Sequence, residues 1–169
     1  MTDPALVRAI SAAQRGDPMA LSELMETLLP YVGRICGPIA LQDGPDAAQE
    51  AMIKILRGIR ELRDPDALFG WVRVIAVREA VRVARRRTST RTSDTPVEEL
   101  GMPGDPQLTV DIGDTLTRLS PEHRAVLLLR DLEGLDELQV SEILAVRPGT
   151  VRSRLFRARS SFRKAWTDD

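Results

Sequence analysis

The stretch DELQVSEILAVRPGTVRSRLFRARSSFRKAW, residues 136–166, decides how the chain is read. Asp136 and Gln139 have the spacing of a reciprocal helix cap, which starts a short helix running to Leu144. Ala145, Val146 and Arg147 form a tight turn, and Pro148 suits the first turn of a longer helix reaching about Trp166. Projected at about 100° per residue, Val151, Leu155, Ala158, Phe162 and Trp166 fall in one narrow stripe that must face a core. Arg152, Ser153, Phe156, Arg157, Arg159, Ser160, Arg163 and Lys164 occupy the remaining surface. A short helix, a tight turn and a longer basic helix outline a helix-turn-helix.

Phe156 lies on the polar side of that second helix, flanked by Arg152, Ser153 and Arg157. One account packs it on a neighbouring helix. The other gives it apolar contact with a thymine methyl in the major groove, where arginine reads guanine and serine bonds to either kind of edge. From Arg147 to Lys164 there are seven basic residues and no acid. A solvated face normally mixes both signs, so one sign alone favours phosphate contact.

Charge elsewhere follows the same division. The net charge of the 169 residues is −1, which hides three blocks. Seven arginines lie between Gly70 and Arg91 (Arg73, Arg78, Arg82, Arg85, Arg86, Arg87 and Arg91) against one acid, Glu79. Six acids and no base lie between Asp94 and Asp114. Two basic segments separated by an acidic one point to a polyanionic partner that the whole-chain charge does not reveal.

Helical periodicity covers nearly everything outside the middle. Asp3-Pro4 and Asp17-Pro18 read as caps followed by proline at the first helical position. Leu21, Leu24, Leu28, Val32 and Ile35 supply an apolar face, with a kink expected near Pro30. Gly37-Pro38 and Gly44-Pro45 are expected to bracket a loop or short turn. A third helix runs from about Asp46 to Leu62 with Ala48, Met52, Ile55, Leu56 and Ile59 inward. Asp64-Pro65 opens a fourth, apolar all round from Leu68 to Val77 and then split between valines and arginines. Residues 92–107 read as a flexible acidic linker, and helices resume at about Leu108 and at Ser120-Pro121, with Gly134 as a stop. The fold class is all-α: a helical domain over 1–91, the linker, and a helix-turn-helix domain over 108–169.

Arg130 to Leu135, Val140 to Leu144 and above all the run Gly149-Thr150-Val151-Arg152-Ser153-Arg154-Leu155-Phe156-Arg157-Ala158-Arg159 resemble region 4 of the extracytoplasmic-function (ECF) sigma factors of bacterial RNA polymerase. Ala145 departs from the turn glycine usual in that family, and Arg147-Pro148 from its usual entry. The resemblance implies binding of the −35 promoter element through Arg152, Ser153, Phe156 and Arg157. Asp46-Ala47-Ala48-Gln49-Glu50 is similar, less closely, to the family's region 2 helix. It implies that Asp46, Gln49 and Glu50 dock on the β′ clamp helices of core polymerase. Trp71 to Ala76 and Arg85 to Arg87 look like the helix that recognises and melts the −10 element. Its candidate contacts here are Leu68, Phe69, Arg73, Arg78, Arg82, Arg85, Arg86 and Arg87, while Trp71 is expected in the core. Arg78 stands where the family usually has asparagine. Further implied partners are the β flap, promoter DNA and an anti-sigma factor.

Two other classes fit the sequence less fully. A helix-turn-helix repressor or activator accounts for the C-terminal half but leaves the Asp46–Glu50 and 70–87 segments without a purpose. An enzyme finds no glycine-rich phosphate loop, Ser/His/Asp set or metal-ligand spacing. The expectation is a non-enzyme with no cofactor or metal. The lone His123 lacks ligand companions, and the lone Cys36 reads as a small core residue. With no long apolar run and no signal-peptide pattern, a cytoplasmic protein without membrane insertion is expected.

Overall fold

The computed structural model describes residues 3–90 and 106–167. The regular structure of those residues is helical, with no strand among them. Four helices form the N-terminal half: α1 (Pro4–Gln14), α2 (Pro18–Ala40), α3 (Gly44–Gly58) and α4 (Leu68–Thr90). Four more form the C-terminal half: α5 (Pro106–Thr117), α6 (Pro121–Leu127), α7 (Glu137–Leu144) and α8 (Pro148–Thr167). All of the expected acidic linker before Pro106 lies outside the described residues.

Capping sets the helix starts. The Asp3 carboxylate accepts from Ala5 N at 2.8 Å and that of Asp17 from Met19 N at 2.9 Å, satisfying amides that have no partner within the helix. At α7 the reciprocal cap is complete, with Gln139 N donating to Asp136 at 2.8 Å and Asp136 N to Gln139 at 2.9 Å. The short turn expected between Gly37-Pro38 and Gly44-Pro45 forms as the 3-10 turn Leu41–Asp43, but it starts late: helix α2 continues through both Pro30 and Pro38 to Ala40. The reason is burial: Ile35, Cys36, Ile39 and Ala40 are all in the core, and their packing outweighs the backbone hydrogen bond that an interior proline removes. The break is tight because a Cβ on Gly44 would lie 3.0 Å from Gly37 Cα, so the start of α3 closes directly on α2.

Helices α2, α3 and α4 enclose Leu24, Leu28, Val32, Ile35, Ile55, Val72, Ala76 and Val77, each no more than 1% exposed. Trp71 is half-buried against Gly58, where even a Cβ would come within 2.9 Å of the indole. Leu56 was expected inward and is instead 42% exposed, with Ala47 and Ala51 filling the inner face of α3. Small residues there let α3 approach its neighbours more closely than a leucine stripe permits.

In the C-terminal half, the helix expected to run to Leu132 changes at Leu128 into a single π-helical turn, Leu128–Leu132. Helix α8 buries Val151, Ala158 and Ala165, whereas Trp166, expected inward, is 41% exposed and stacks on Phe162 with ring centres 6.1 Å apart. Leu128, Leu129, Leu135, Val140, Ile143 and Val151 belong to the same contiguous apolar cluster as the core of the N-terminal half. Arg124 crosses between the halves: its guanidinium, 7% exposed, donates to Ile39 O at 2.8 Å, Leu119 O at 2.5 Å and Leu116 O at 3.2 Å. Burial pushes its pKa down to about 10.

Candidate nucleic-acid interface

Helix α8 presents one open face. Phe156 is 76% exposed, so it does not pack on a neighbouring helix. Arg152, Ser153 and Arg157 are exposed around it. The turn before α8 holds the helix at a fixed angle. Ala145 sits in the left-handed region (φ 53°, ψ 45°), Val146 N donates to Ser141 O at 3.0 Å, and Ala145 N donates to Glu142 O at 3.3 Å. This is a Schellman-type ending in which alanine holds the place glycine usually takes. Arg152 is drawn back onto the preceding helix by a bidentate pair with Glu137, at 3.1 and 3.2 Å. Arg159 makes the same kind of pair with Asp131, at 2.5 and 3.2 Å. Arg154 is half-buried and, unlike its neighbours, faces the groove between α8 and α4, where its charge acts on Glu122.

The second basic segment lies along α4. Leu68 is fully buried, so it anchors the start of the helix and has no surface to offer DNA, against the expectation. Phe69 is 38% exposed and meets Tyr31 edge-to-face, ring centres 5.2 Å apart. Arg34 lies 5.7 Å above the same tyrosine ring, and the Tyr31 hydroxyl accepts from Arg73 Nε at 3.0 Å. Tyr31, Phe69, Arg34 and Arg73 thus make one aromatic and cationic cluster, the composition that holds an unpaired base by stacking and its phosphate by charge. Tyr31 and Arg34 escaped the reading of the sequence because they sit on α2, 38 and 35 residues before Phe69.

Each of the other α4 arginines has a partner within the protein. Arg78 donates to Ile143 O at 2.9 Å and to Glu142 O at 3.1 Å, at the carbonyl end of α7. That is where the helix dipole is negative and cations are stabilised. Arg73 pairs with Glu133 at 3.2 Å and Arg85 with Glu122, both acids of the C-terminal half. Arg87 pairs with the buried Asp43. Arg82 is held by Glu79 on its own helix and by Glu50 on α3, and Arg86 lies 3.7 Å from Glu50. Glu79 is 3% exposed. Burial alone raises its pKa, but hydrogen bonds from Arg82 and Lys54 outweigh burial and hold it below the ordinary carboxylate value.

Asp46 and Gln49 are exposed on α3, and Glu50 is half-exposed beside them. Ile53 and Leu56, 40% and 42% exposed, continue the same face one and two turns on. Acids edged by exposed aliphatic residues form a surface suited to a basic amphipathic partner. The two aliphatic members were missed because the period alone assigned Leu56 to the core. Among the described residues no cluster of three His, Cys, Asp or Glu is placed to hold a metal, and no helix is long and apolar enough to cross a membrane.

Comparison with known proteins agrees with this geometry. Residues 109–161 match the family described as sigma-70, region 4. The ECF RNA polymerase sigma-E factor of Haemophilus influenzae is 32% identical over 180 residues, covering 94% of this chain and 92% of that protein. The RNA polymerase sigma-H factor of Pseudomonas aeruginosa is 30% identical, covering 92% and 91%. Among solved structures, the sigma factor RpoE of Bartonella quintana, in complex with the anti-sigma factor NepR, superimposes with a TM-score of 0.69 at 18% identity over 88% of this chain and 97% of that one. CnrH, in complex with the cytosolic domain of CnrY, gives 0.65 at 18% identity over 99% of both chains. The fold is shared with both. The basic recognition helix, the region 4 match over it, and near-full-length identity of about a third together place the chain among the ECF RNA polymerase sigma factors, which act in promoter-directed transcription initiation.

Proposed function

We propose that the chain binds core RNA polymerase through the α3 face and directs it to promoters, reading the −35 element with α8 and holding the melted −10 strand along α4. Residues 1–91 then serve docking and melting, 92–107 join the halves, and 108–169 bind upstream DNA. The observation that carries the reading is the open row Arg152, Ser153, Phe156 and Arg157 on α8, with a bare aromatic ring between donors. An exposed apolar ring alone means little, but one set between hydrogen-bond donors on a face that is otherwise basic offers apolar contact at the centre of a polyanion-binding surface. On DNA the group it meets is a thymine methyl, with the flanking donors on base edges and phosphates.

On this reading the chain performs no catalysis of its own and acts in the cytoplasm, where polymerase works. Its place among relatives whose solved complexes hold an anti-sigma factor makes such a protein its expected regulator. The test is reconstitution. The chain added to core polymerase should give a complex that binds and opens a promoter, and the double change Asp46→Ala with Glu50→Ala should weaken core binding while leaving helicity unchanged. Core affinity equal to that of the parent removes the docking face. Tight, sequence-specific binding of duplex DNA by the chain alone points instead to a repressor-like module.

A further inference from the structure

A cavity of about 430 Å³ opens between α4 and the C-terminal half, and its wall is mostly cationic. Arg78, Arg82, Arg85 and Arg86 line it from α4 and Arg154 from α8, against the single acid Glu122. Val81 and Leu144 supply the apolar part of the lining. The α4 arginines share one wall because steps of three and four residues keep them on one face of the helix. Like charges at that spacing repel one another, a cost that an anion in the cavity relieves.

The protein's own acids leave this wall positive. The Glu122 carboxylate is committed to Arg85. Glu50 and Glu79 hold Arg82 from behind, and Arg86 lies 3.7 Å from Glu50. Arg78 donates to Ile143 O and Glu142 O, carbonyls that orient its guanidinium without cancelling its charge. Arg154 is half-buried and has no hydrogen-bond or ion-pair partner among the described residues. It stands two residues from Phe156, hence across the helix from it, so the reading of DNA by α8 leaves it unused. Its charge is felt within the cavity. Burial alone raises the pKa of Glu122, but bonds from its own backbone amide and from Arg85, with the charges of Arg85 and Arg154, hold it below the ordinary carboxylate value.

We propose that this cavity binds a compact oligophosphate, the phosphate chain of a free nucleotide or its inorganic equivalent, which bridges α4 and α8. Every cation of the lining is an arginine, whose planar fork pairs with two phosphate oxygens at once. The volume falls within the roughly 300–1,000 Å³ of small-ligand sites. Cations on opposite walls call for several linked negative charges, which a single carboxylate or halide does not carry. A DNA strand is a poorer occupant, because α6 and α7 pack on α4 beside the cavity. The site does not depend on α4 holding DNA, but its consequence does. The anion takes the arginines proposed for the melted strand, so it competes with single-stranded DNA and keeps the two halves together while bound.

The experiment is calorimetric titration of the full chain at fixed ionic strength with inorganic tripolyphosphate, with adenosine triphosphate and, as the reference for unspecific charge, with sulfate. The variants are Arg154→Ala, Glu122→Gln and, as the same charge change outside the cavity, Arg8→Ala. Tripolyphosphate should bind at one site per chain and far more tightly than sulfate. Arg154→Ala should weaken it by about ten- to hundredfold, the worth of a hydrogen bond to a charged group. Glu122→Gln should strengthen it several-fold, and Arg8→Ala should leave it unchanged. Tighter binding of adenosine triphosphate than of tripolyphosphate marks a nucleotide as the source; equal or weaker binding marks the phosphate chain itself. Without the anion, Arg154→Ala should keep the parent's affinity for a single-stranded oligonucleotide. Tripolyphosphate at the concentration that saturates the parent should weaken oligonucleotide binding by the parent and not by Arg154→Ala. Tripolyphosphate binding no tighter than sulfate, or equal losses in Arg154→Ala and Arg8→Ala, overturns the site. Neither result touches the polymerase dock, which the Asp46→Ala with Glu50→Ala change tests by itself.

Discussion

Replacing Ala145 by glycine should stabilise the protein, and the size of the effect follows from the turn. Ala145 is held at φ 53° and ψ 45°, where an L-residue's Cβ crowds the carbonyl at a cost of roughly 1–2 kcal/mol. Its methyl group is exposed, so removing it gives up little packing. Against this relief, glycine loses more backbone freedom on folding, roughly 0.5–1 kcal/mol. The difference favours Ala145→Gly by about 0.5–1 kcal/mol. For a chain of this size that is a rise in Tm of about 1–4 °C. Urea denaturation followed by circular dichroism should show a higher midpoint with an unchanged slope, the sign of a change in stability without a change in the surface exposed. Ala145→Val should move the midpoint the other way and further, because branching at Cβ makes the left-handed region less accessible still. The hydrogen bonds from Val146 N to Ser141 O and from Ala145 N to Glu142 O do not involve the side chain. Sequence preference on DNA should therefore not change with Ala145→Gly. A glycine variant no more stable than the parent refutes the left-handed turn and, with it, the angle at which α8 leaves α7.

Two further outcomes are expected. In holoenzyme, Arg157→Ala should flatten discrimination at one position of the upstream element, at a cost of about 1–3 kcal/mol. Arg163→Ala should weaken all sequences alike or have no effect; a promoter library selected with each variant separates them, and retained preference in both means α8 is a phosphate clamp only. The Cys36 thiol, fully buried with Ala76 O at 3.6 Å, is pushed up to about 12 by burial. It should resist a thiol reagent at pH 8 until the chain unfolds. Because the folded state keeps this proton where the unfolded chain, with a thiol pKa of about 8.5, releases it, stability should fall as pH rises above that value. Cys36→Ala should remove that part of the slope, and prompt labelling of the native protein contradicts the burial.

The sequence by itself determined the elements that depend on neighbours along the chain. The caps at Asp3, Asp17 and Asp136 and the placement of Phe156 away from the apolar stripe of α8 follow from spacing and from the 3.6-residue period, which are local quantities, while that no helix covers Phe156 came from the fold. The same local logic placed a turn between Gly37-Pro38 and Gly44-Pro45 but not its start, because buried Ile35, Cys36 and Ile39 carry α2 past its prolines. It failed at Leu56 and Trp166, because a period gives the direction of a side chain but not whether another helix lies there to cover it. Tertiary structure alone decided the partners. Arg78 meets Ile143 O across 65 residues, Arg82 meets Glu50 across 32 and Arg124 meets Ile39 O across 85. A run of arginines reads from sequence as a surface waiting for phosphate. Folding gave Arg73, Arg78, Arg82, Arg85 and Arg87 acceptors of the protein's own, because a guanidinium beside a carboxylate or a helix carbonyl end is lower in free energy than one left to water alone.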